Sequence, residues 1–285
     1  MITGNTKNLG VIGYPIAHSL SPVLQNTALK KEGLDYIYVA FPVKPEQLKE
    51  AVDGIRAFQI RGVNVTIPHK TSVVEYLDRI DEDAKIIGAV NTIVNEDGYL
   101  VGYNTDAAGF MDALLRKGFQ PKGKSVSVLG AGGAARAVIW SLIKGQAARI
   151  RLVVRNVAKA KPVADFFCHY ADIEVLPWED DGFLEILGET DLLVNTTPLG
   201  MYPKVEQMPF VDLSRLKKGA LVYDIIYTPA ETKLLRKAKE AGFAILNGEG
   251  MLAGQGAEAF RLWTGILPDV ESMKSALREY LQGTS

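Results

Sequence analysis

Apolar and polar positions along the chain alternate between two periods, and the switches between them predict the elements. Short apolar runs at 8–13, 36–41, 62–67 and 89–94 read as strands. Between them, 23–31 and 45–58 carry helical spacing, the second with Leu48, Val52 and Ile55 on one stripe. A short helix is expected over 83–88. Asp97-Gly98 marks a hairpin turn, and a return strand follows at 100–103. A helix then opens at Asn104-Thr105-Asp106. Further strands are predicted at 125–129, 150–154, 191–195, 221–225 and 243–246, with helices at 137–144 and 231–241. Beyond Gly248 the pattern is wholly helical, at 250–263 and 269–281. Strands alternating with helices predict an α/β protein with mainly parallel sheets. At 285 residues the chain exceeds one comfortable core, so two domains are expected, 1–106 plus 248–285 and 107–247.

The most specific local signal is KSVSVLGAGGAARAV at 124–138, a strand, a glycine turn and a helix. In this context Gly130 permits the tight turn and Gly132 allows close approach of a pyrophosphate, with Ala131, Gly133 and Ala134 completing the loop. Ala135 keeps the helix close to the strand, and the helix N-terminus offers free N–H groups to phosphate. The bland alternative is a purely structural βα turn. An NAD site asks for an acidic residue about 20 residues further on. The next strand ends instead in Val154-Arg155-Asn156 with Lys159 a turn later, which suits a 2′-phosphate and so NADP.

Polar residues interrupt the apolar strands of the first half. Alternation puts Val63, Val65 and Ile67 on one face and Asn64 and Thr66 on the other, where buried polar groups need partners. Asn91 likewise stands in an apolar strand. Lys70 follows a strand's carboxyl end, where α/β sheets place ligands. Ser21 before Pro22 is a helix-start signal; its plain reading is a cap, and its functional one is a carboxylate site with Ser19. His18 and His69 read as structural. Asn195 to Met201 is a strand-end loop expected to border the nicotinamide, and Tyr227 follows the next strand.

Composition changes little in this picture. Hydrophobic residues at 47% and charged residues at 23% are those of an ordinary soluble protein, and a net charge of −1 argues against nucleic acid as a partner. No apolar run is long enough for a membrane, and the start has no signal-peptide core. The single cysteine, Cys168, forms no internal disulfide and has no second ligand pair beside His169, so no metal is expected. The expectation is a cytoplasmic monomer or homodimer acting on a small molecule.

The chain resembles the shikimate dehydrogenase family over nearly its whole length. The resemblance rests on YPIAHSLSP (14–22), GVNVTIPHK (62–70), GAVNT (88–92), YNTD (103–106), GAGGAARA, NTTPLGM and GMLAGQGAEAFRLWTG. It implies NADP-linked interconversion of 3-dehydroshikimate and shikimate in aromatic amino-acid biosynthesis. It also implies a substrate domain, a Rossmann-type NADP domain and a cleft between them. By the same resemblance Lys70 and Asp106 form the catalytic pair, and Ser19 and Ser21 hold the substrate carboxylate. Asn64, Thr66, Asn91, Tyr227 and Gln255 join them around the substrate. Thr196, Ile225 and Gly248 join the glycine loop, Arg155, Asn156 and Lys159 around the cofactor. A carboxylate beside Lys70 favours an ammonium, suited to stabilising charge during reduction. The family's phosphate motif usually reads Asn-Arg-Thr; Val154 and Asn156 depart from it, which predicts a weaker NADP preference. A quinate/shikimate dehydrogenase using both cofactors, and a non-catalytic NADP-binding regulator, are the alternatives.

Overall fold

A computed structural model describes residues 1–178 and 181–283 of the chain. It divides into two compact units, 1–109 with 253–285, and 110–252.

The first unit begins with β1 (Lys7–Gly13), α1 (Ser21–Lys31), β2 (Tyr36–Pro42), α2 (Leu48–Ala57) and β3 (Gly62–Val65). Then come β4 (Arg79–Ile80), α3 (Glu82–Ile87), β5 (Thr92–Glu96), β6 (Tyr99–Tyr103) and the start of α4 (Asp106–Arg116). Its six strands lie in the order β2-β1-β3-β5-β6-β4. The β2-β1-β3 ladders and β4-β6 are parallel, while β5 runs antiparallel to both its neighbours. The Asp97-Gly98 turn, with both φ positive, closes the β5–β6 hairpin as its sequence requires. Val52 and Ile55 of α2 pack with Val63, Val65 and Ile93 in a core that holds β3 rigid.

The second unit continues with β7 (Ser125–Leu129), α5 (Gly133–Lys144), β8 (Arg149–Val154), α6 (Val157–Phe167), β9 (Ile173–Pro177) and α7 (Asp181–Ile186). After these come β10 (Leu192–Asn195), β11 (Leu221–Asp224), α8 (Lys233–Glu240), β12 (Ala244–Leu246) and the start of α9 (Glu249–Thr264). The strand order β12-β11-β10-β7-β8-β9 is parallel throughout. That is the doubly wound dinucleotide-binding order, whose direction reverses between β7 and β10. The rest of α9 and α10 (Val270–Gly283) return to the first unit. There Trp263 donates its indole N–H to the Ile93 carbonyl at 2.9 Å.

Several elements differ from their sequence expectation. Ser21 is not a cap: Leu20 occupies that position, no side chain caps the helix, and Ser21 is its first residue. The strand expected at 89–94 is displaced to Thr92–Glu96: Val90 turns its N–H to the Lys70 carbonyl, while Asn91 still bonds Tyr103 and Val65 at the ends of the flanking strands. Ile67 does not share the buried face of Val63 and Val65. The strand stops at Val65, and Ile67 lies in the following turn with 74% of its surface exposed. Helices α6 and α7 and strand β9 were not anticipated.

Candidate functional site

In the first unit the site grows from the carboxyl end of β3. Beyond Val65 the chain turns through Thr66, whose N–H donates to the Ile12 carbonyl, and through buried His69. The His69 ring nitrogen lies 2.7 Å from the Val43 carbonyl, so this histidine anchors the turn. Val90 then donates its N–H to the Lys70 carbonyl at 2.7 Å, and Asn91 donates to Tyr103. The first of these bonds fixes the main chain of the lysine, and the second ties Asn91 to the end of β6.

The lysine side chain is fixed as well. Lys70 Nζ lies 2.6 Å from Asp106 Oδ2, with the carboxylate side chain only 12% exposed. Asp106 opens α4, where the positive end of the helix dipole favours a negative charge. Its other oxygen accepts from Asn91 Nδ2 at 2.8 Å. The second Asn91 amide hydrogen goes to Thr105 Oγ1, and its carbonyl oxygen accepts from the Thr105 N–H and from Thr92 Oγ1. Asn91 therefore braces Asp106 with both of its donors. Asn64 is buried too, donating to the Asn91 carbonyl and to Thr92 Oγ1. Thr92 and Thr105 are fully buried members of this network that sequence reasoning passed over. They follow Asn91 and Asn104 inside the GAVNT and YNTD motifs.

Ser19 and Ser21 sit at the start of α1, half-buried, with the Ser21 N–H donating to Ser19 Oγ at 3.3 Å. Gln255 is half-buried on α9, beside Gly256, whose carbonyl accepts from buried Gln25. Lys70, Asp106, Asn91 and Asn64 are thus joined by direct bonds. Tyr227 belongs to the second unit, where burial pushes its phenol upward.

The second unit carries a pocket of about 310 Å³ at the reversal of strand direction. Gly130, Ala131, Gly132, Arg155, Asn156, Lys159 and Thr196 line it. Gly130 has φ 102°, and a Cβ there would press on Thr197 and Thr196, so the position requires glycine. Above Gly132 and Gly133 there is open space, and α5 begins there with its free N–H groups. Ala134 lies in that first turn. The Arg155 guanidinium stands over the Trp178 ring at 5.7 Å, and no carboxylate among the described residues pairs with it. Asn156 spends its side-chain oxygen capping α6, accepting from the Lys159 N–H at 3.0 Å. Trp178 is a lining residue that sequence reasoning missed. Ile225 and Gly248 do not line this pocket; they pack against each other, and a Cβ on Gly248 would collide with the Ile225 carbonyl.

Behind the pocket floor, Asp224 is fully buried. It accepts from Thr232 Oγ1, Asn195 Nδ2 and the Ile226 N–H, yet burial still pushes its carboxyl up to about 6. Asn195 in turn accepts from the N–H and hydroxyl of Thr197, which fixes the loop after β10.

Fold and site together define an α/β protein with a Rossmann-type dinucleotide unit and a second unit bearing a lysine–carboxylate pair. Comparison with known proteins narrows this class. A family model described as the shikimate dehydrogenase substrate binding domain matches residues 11–93, and one described as the shikimate 5′-dehydrogenase C-terminal domain matches 248–278. The NADP(+) shikimate dehydrogenase of Methanocaldococcus jannaschii is 46% identical over 279 residues, covering 97% of this chain and 98% of that one. A crystal structure of a shikimate dehydrogenase in complex with NADP+ matches with TM-score 0.92 and 44% identity, over 98% of this chain and 97% of that one. The Thermus thermophilus shikimate 5-dehydrogenase in complex with NADP(H) and shikimate matches with TM-score 0.87 and 38% identity, over 96% and 99%. This chain belongs to the shikimate dehydrogenase family.

Among the described residues, no helix is long and apolar enough to cross a membrane, and no group of three or more His, Cys, Asp or Glu could hold a metal ion.

Proposed function

We propose that this chain is an NADP-dependent oxidoreductase that interconverts 3-dehydroshikimate and shikimate. The observation that carries the reading is the 2.6 Å Lys70–Asp106 pair, braced by Asn91 at the carboxyl end of a sheet. The residues of the second unit fit a phosphorylated dinucleotide. The open glycine turn and the α5 N-terminus suit the pyrophosphate, and Arg155 with Lys159 suits the 2′-phosphate. When bound, NADPH supplies the hydride that reduces the substrate's ketone carbon.

The chain's own residues do the rest. As charge grows on the ketone oxygen, the Lys70 ammonium stabilises it and releases a proton from Nζ. Asp106 holds that ammonium in one place with Oδ2, while Asn91 holds Asp106 through Oδ1. Ser19 and Ser21, at the N-terminus of α1, take the substrate carboxylate. Asn64, Thr66 and Gln255 take its hydroxyls, with Tyr227 as a further contact. The same reading has the protein working in the cytoplasm as a monomer or homodimer.

Consumption of NADPH on addition of 3-dehydroshikimate tests the proposal, and absence of substrate-dependent oxidation rejects it. Lys70→Ala should lower kcat by ~100-fold or more while leaving NADPH affinity unchanged. Near-normal turnover in that variant would remove Lys70 from the mechanism.

A further inference from the structure

Two arginines of the β8 segment meet different partners. Arg151 is buried, and Glu174, Glu189 and Ser125 take its guanidinium, so its charge and donors are spent inside the unit. Arg155, just past the strand's end, is exposed and lines the pocket of about 310 Å³. A free arginine gives up rotamer freedom before it can grip an anion, which weakens binding. Arg155 has one neighbour that limits this cost, the Trp178 ring, whose centroid lies 5.7 Å from the guanidinium carbon.

That ring is a fixed surface. The indole N–H donates to the Val153 carbonyl at 2.9 Å, the backbone N–H donates to the Val154 carbonyl at 3.0 Å, and only 8% of the residue is exposed. Trp178 belongs to the same packed cluster as Leu129, Val153 and Phe183. The kind of hold decides what Arg155 can still do. A carboxylate would neutralise the guanidinium and occupy its N–H fork. An aromatic face attracts the cation through its quadrupole and leaves both the charge and the fork available. The adjoining positions offer less to an anion. Val154 has no side-chain donor, and Asn156 has its side-chain oxygen engaged in capping α6.

We infer that Trp178 is a positioning residue for the cofactor's 2′-phosphate: its ring presents the Arg155 guanidinium with charge and donors free, and so sets the preference for NADP over NAD. The inference rests on the function proposed above. Because Trp178 acts through Arg155, its signature is a selective loss on the phosphorylated cofactor.

Calorimetry in the absence of substrate gives dissociation constants for NAD+ and NADP+, and their ratio isolates the 2′-phosphate. In Trp178→Leu this ratio should fall ~5-fold, with NAD+ affinity within about twofold of the wild type. Trp178→Phe keeps an aromatic face, and the ratio there should fall no more than ~2-fold. In the Arg155→Ala background Trp178→Leu should leave the ratio unchanged, since the ring then has nothing to position. Thermal unfolding shows whether each variant folds. Should Trp178→Leu not fold, replacing the three tryptophans by 5-fluorotryptophan keeps their shape and weakens the negative ring face. The ratio should then fall ~2-fold in the wild-type sequence and stay constant in Arg155→Ala. An unchanged ratio, an equal loss for both cofactors, or the same fall in the Arg155→Ala background overturns the inference. The wild-type arm separates the two claims. Wild-type preference for NADP+ with an unaltered ratio in the variant overturns the positioning role alone. A wild-type protein that binds NADP+ no tighter than NAD+ overturns the proposed 2′-phosphate site and the role with it.

Discussion

Asp224 offers a direct test of how the second unit is held together. Its carboxyl is fully buried between β11 and the start of α8, and burial outweighs three hydrogen bonds to push it from 3.8 to about 6. The folded protein thus binds this proton more tightly than the unfolded chain does. Between about pH 4 and 6 the native state holds more of it, so this group's contribution to stability grows as pH falls through 6 and is lost as pH rises through it. The separation of roughly two pH units corresponds to ~3 kcal/mol, the cost of keeping Asp224 ionised above pH 7. Asp224→Asn removes the charge and keeps the shape. Its Oδ1 can still accept from Asn195 and Ile226, and its amide can donate to the Thr232 hydroxyl, reversing one bond.

The expected outcome is a variant more stable than the wild type by up to ~3 kcal/mol at pH 8, with the gain shrinking to ~1 kcal/mol near pH 4.5 and vanishing only below about pH 3.8. Urea unfolding across that range measures it. Several exposed carboxylates, among them Asp78, Glu189 and Asp269, are held low by basic or backbone partners and titrate the opposite way. They are common to both proteins and cancel in the difference. A variant less stable than the wild type at pH 8, or a difference that does not vary with pH, would refute the reasoning.

Two further outcomes follow from the cofactor unit. Arg155→Ala should raise the KM for NADPH at least ~10-fold and leave that for NADH within about twofold, because the proposed function gives its guanidinium, which stands over the Trp178 ring, the 2′-phosphate to hold; equal losses for both cofactors would remove that assignment. Gly248→Ala should destabilise the protein by about 1–3 kcal/mol in urea unfolding, because its Cβ would meet the Ile225 carbonyl. A change under ~0.5 kcal/mol would show that the backbone there yields freely.

The Rossmann unit was readable where its signals are local. Strand, glycine turn and helix follow one another within 124–144, and the basic residues after β8 stand next to their strand in sequence. Between 157 and 187 the same reasoning failed for two reasons. Pro162 lies inside α6, where a proline reads as a break; the carbonyl it deprives of a donor belongs to exposed Ala158, where solvent can replace the bond. Strand β9 ends in Pro177 at the edge of the sheet, the one place where a strand tolerates it. In the first unit, Asn64 and Asn91 stood out as polar residues among apolar ones. Thr92 did not, because a threonine is an ordinary strand residue and only long-range bonds distinguish it.

Those long-range bonds also decide how labour is divided within the site. Asp106 has both oxygens engaged, one by Lys70 and one by Asn91, and its charge is balanced by the ammonium and by the N-terminus of α4. Asn91 has both donors engaged, by Asp106 and Thr105. A ligand could claim an Asn91 hydrogen only by breaking one of these bonds, and breaking the Asp106 bond would loosen the carboxylate that fixes Lys70. The network therefore favours Asn91 as a brace for the ion pair. Under the proposed function, recognition of substrate hydroxyls then falls more heavily on groups whose hydrogen-bonding capacity is not consumed by that brace, Asn64 Oδ1 first among them. A site arranged this way holds its charged pair in place before anything binds, so the lysine need not reorganise as negative charge develops beside it.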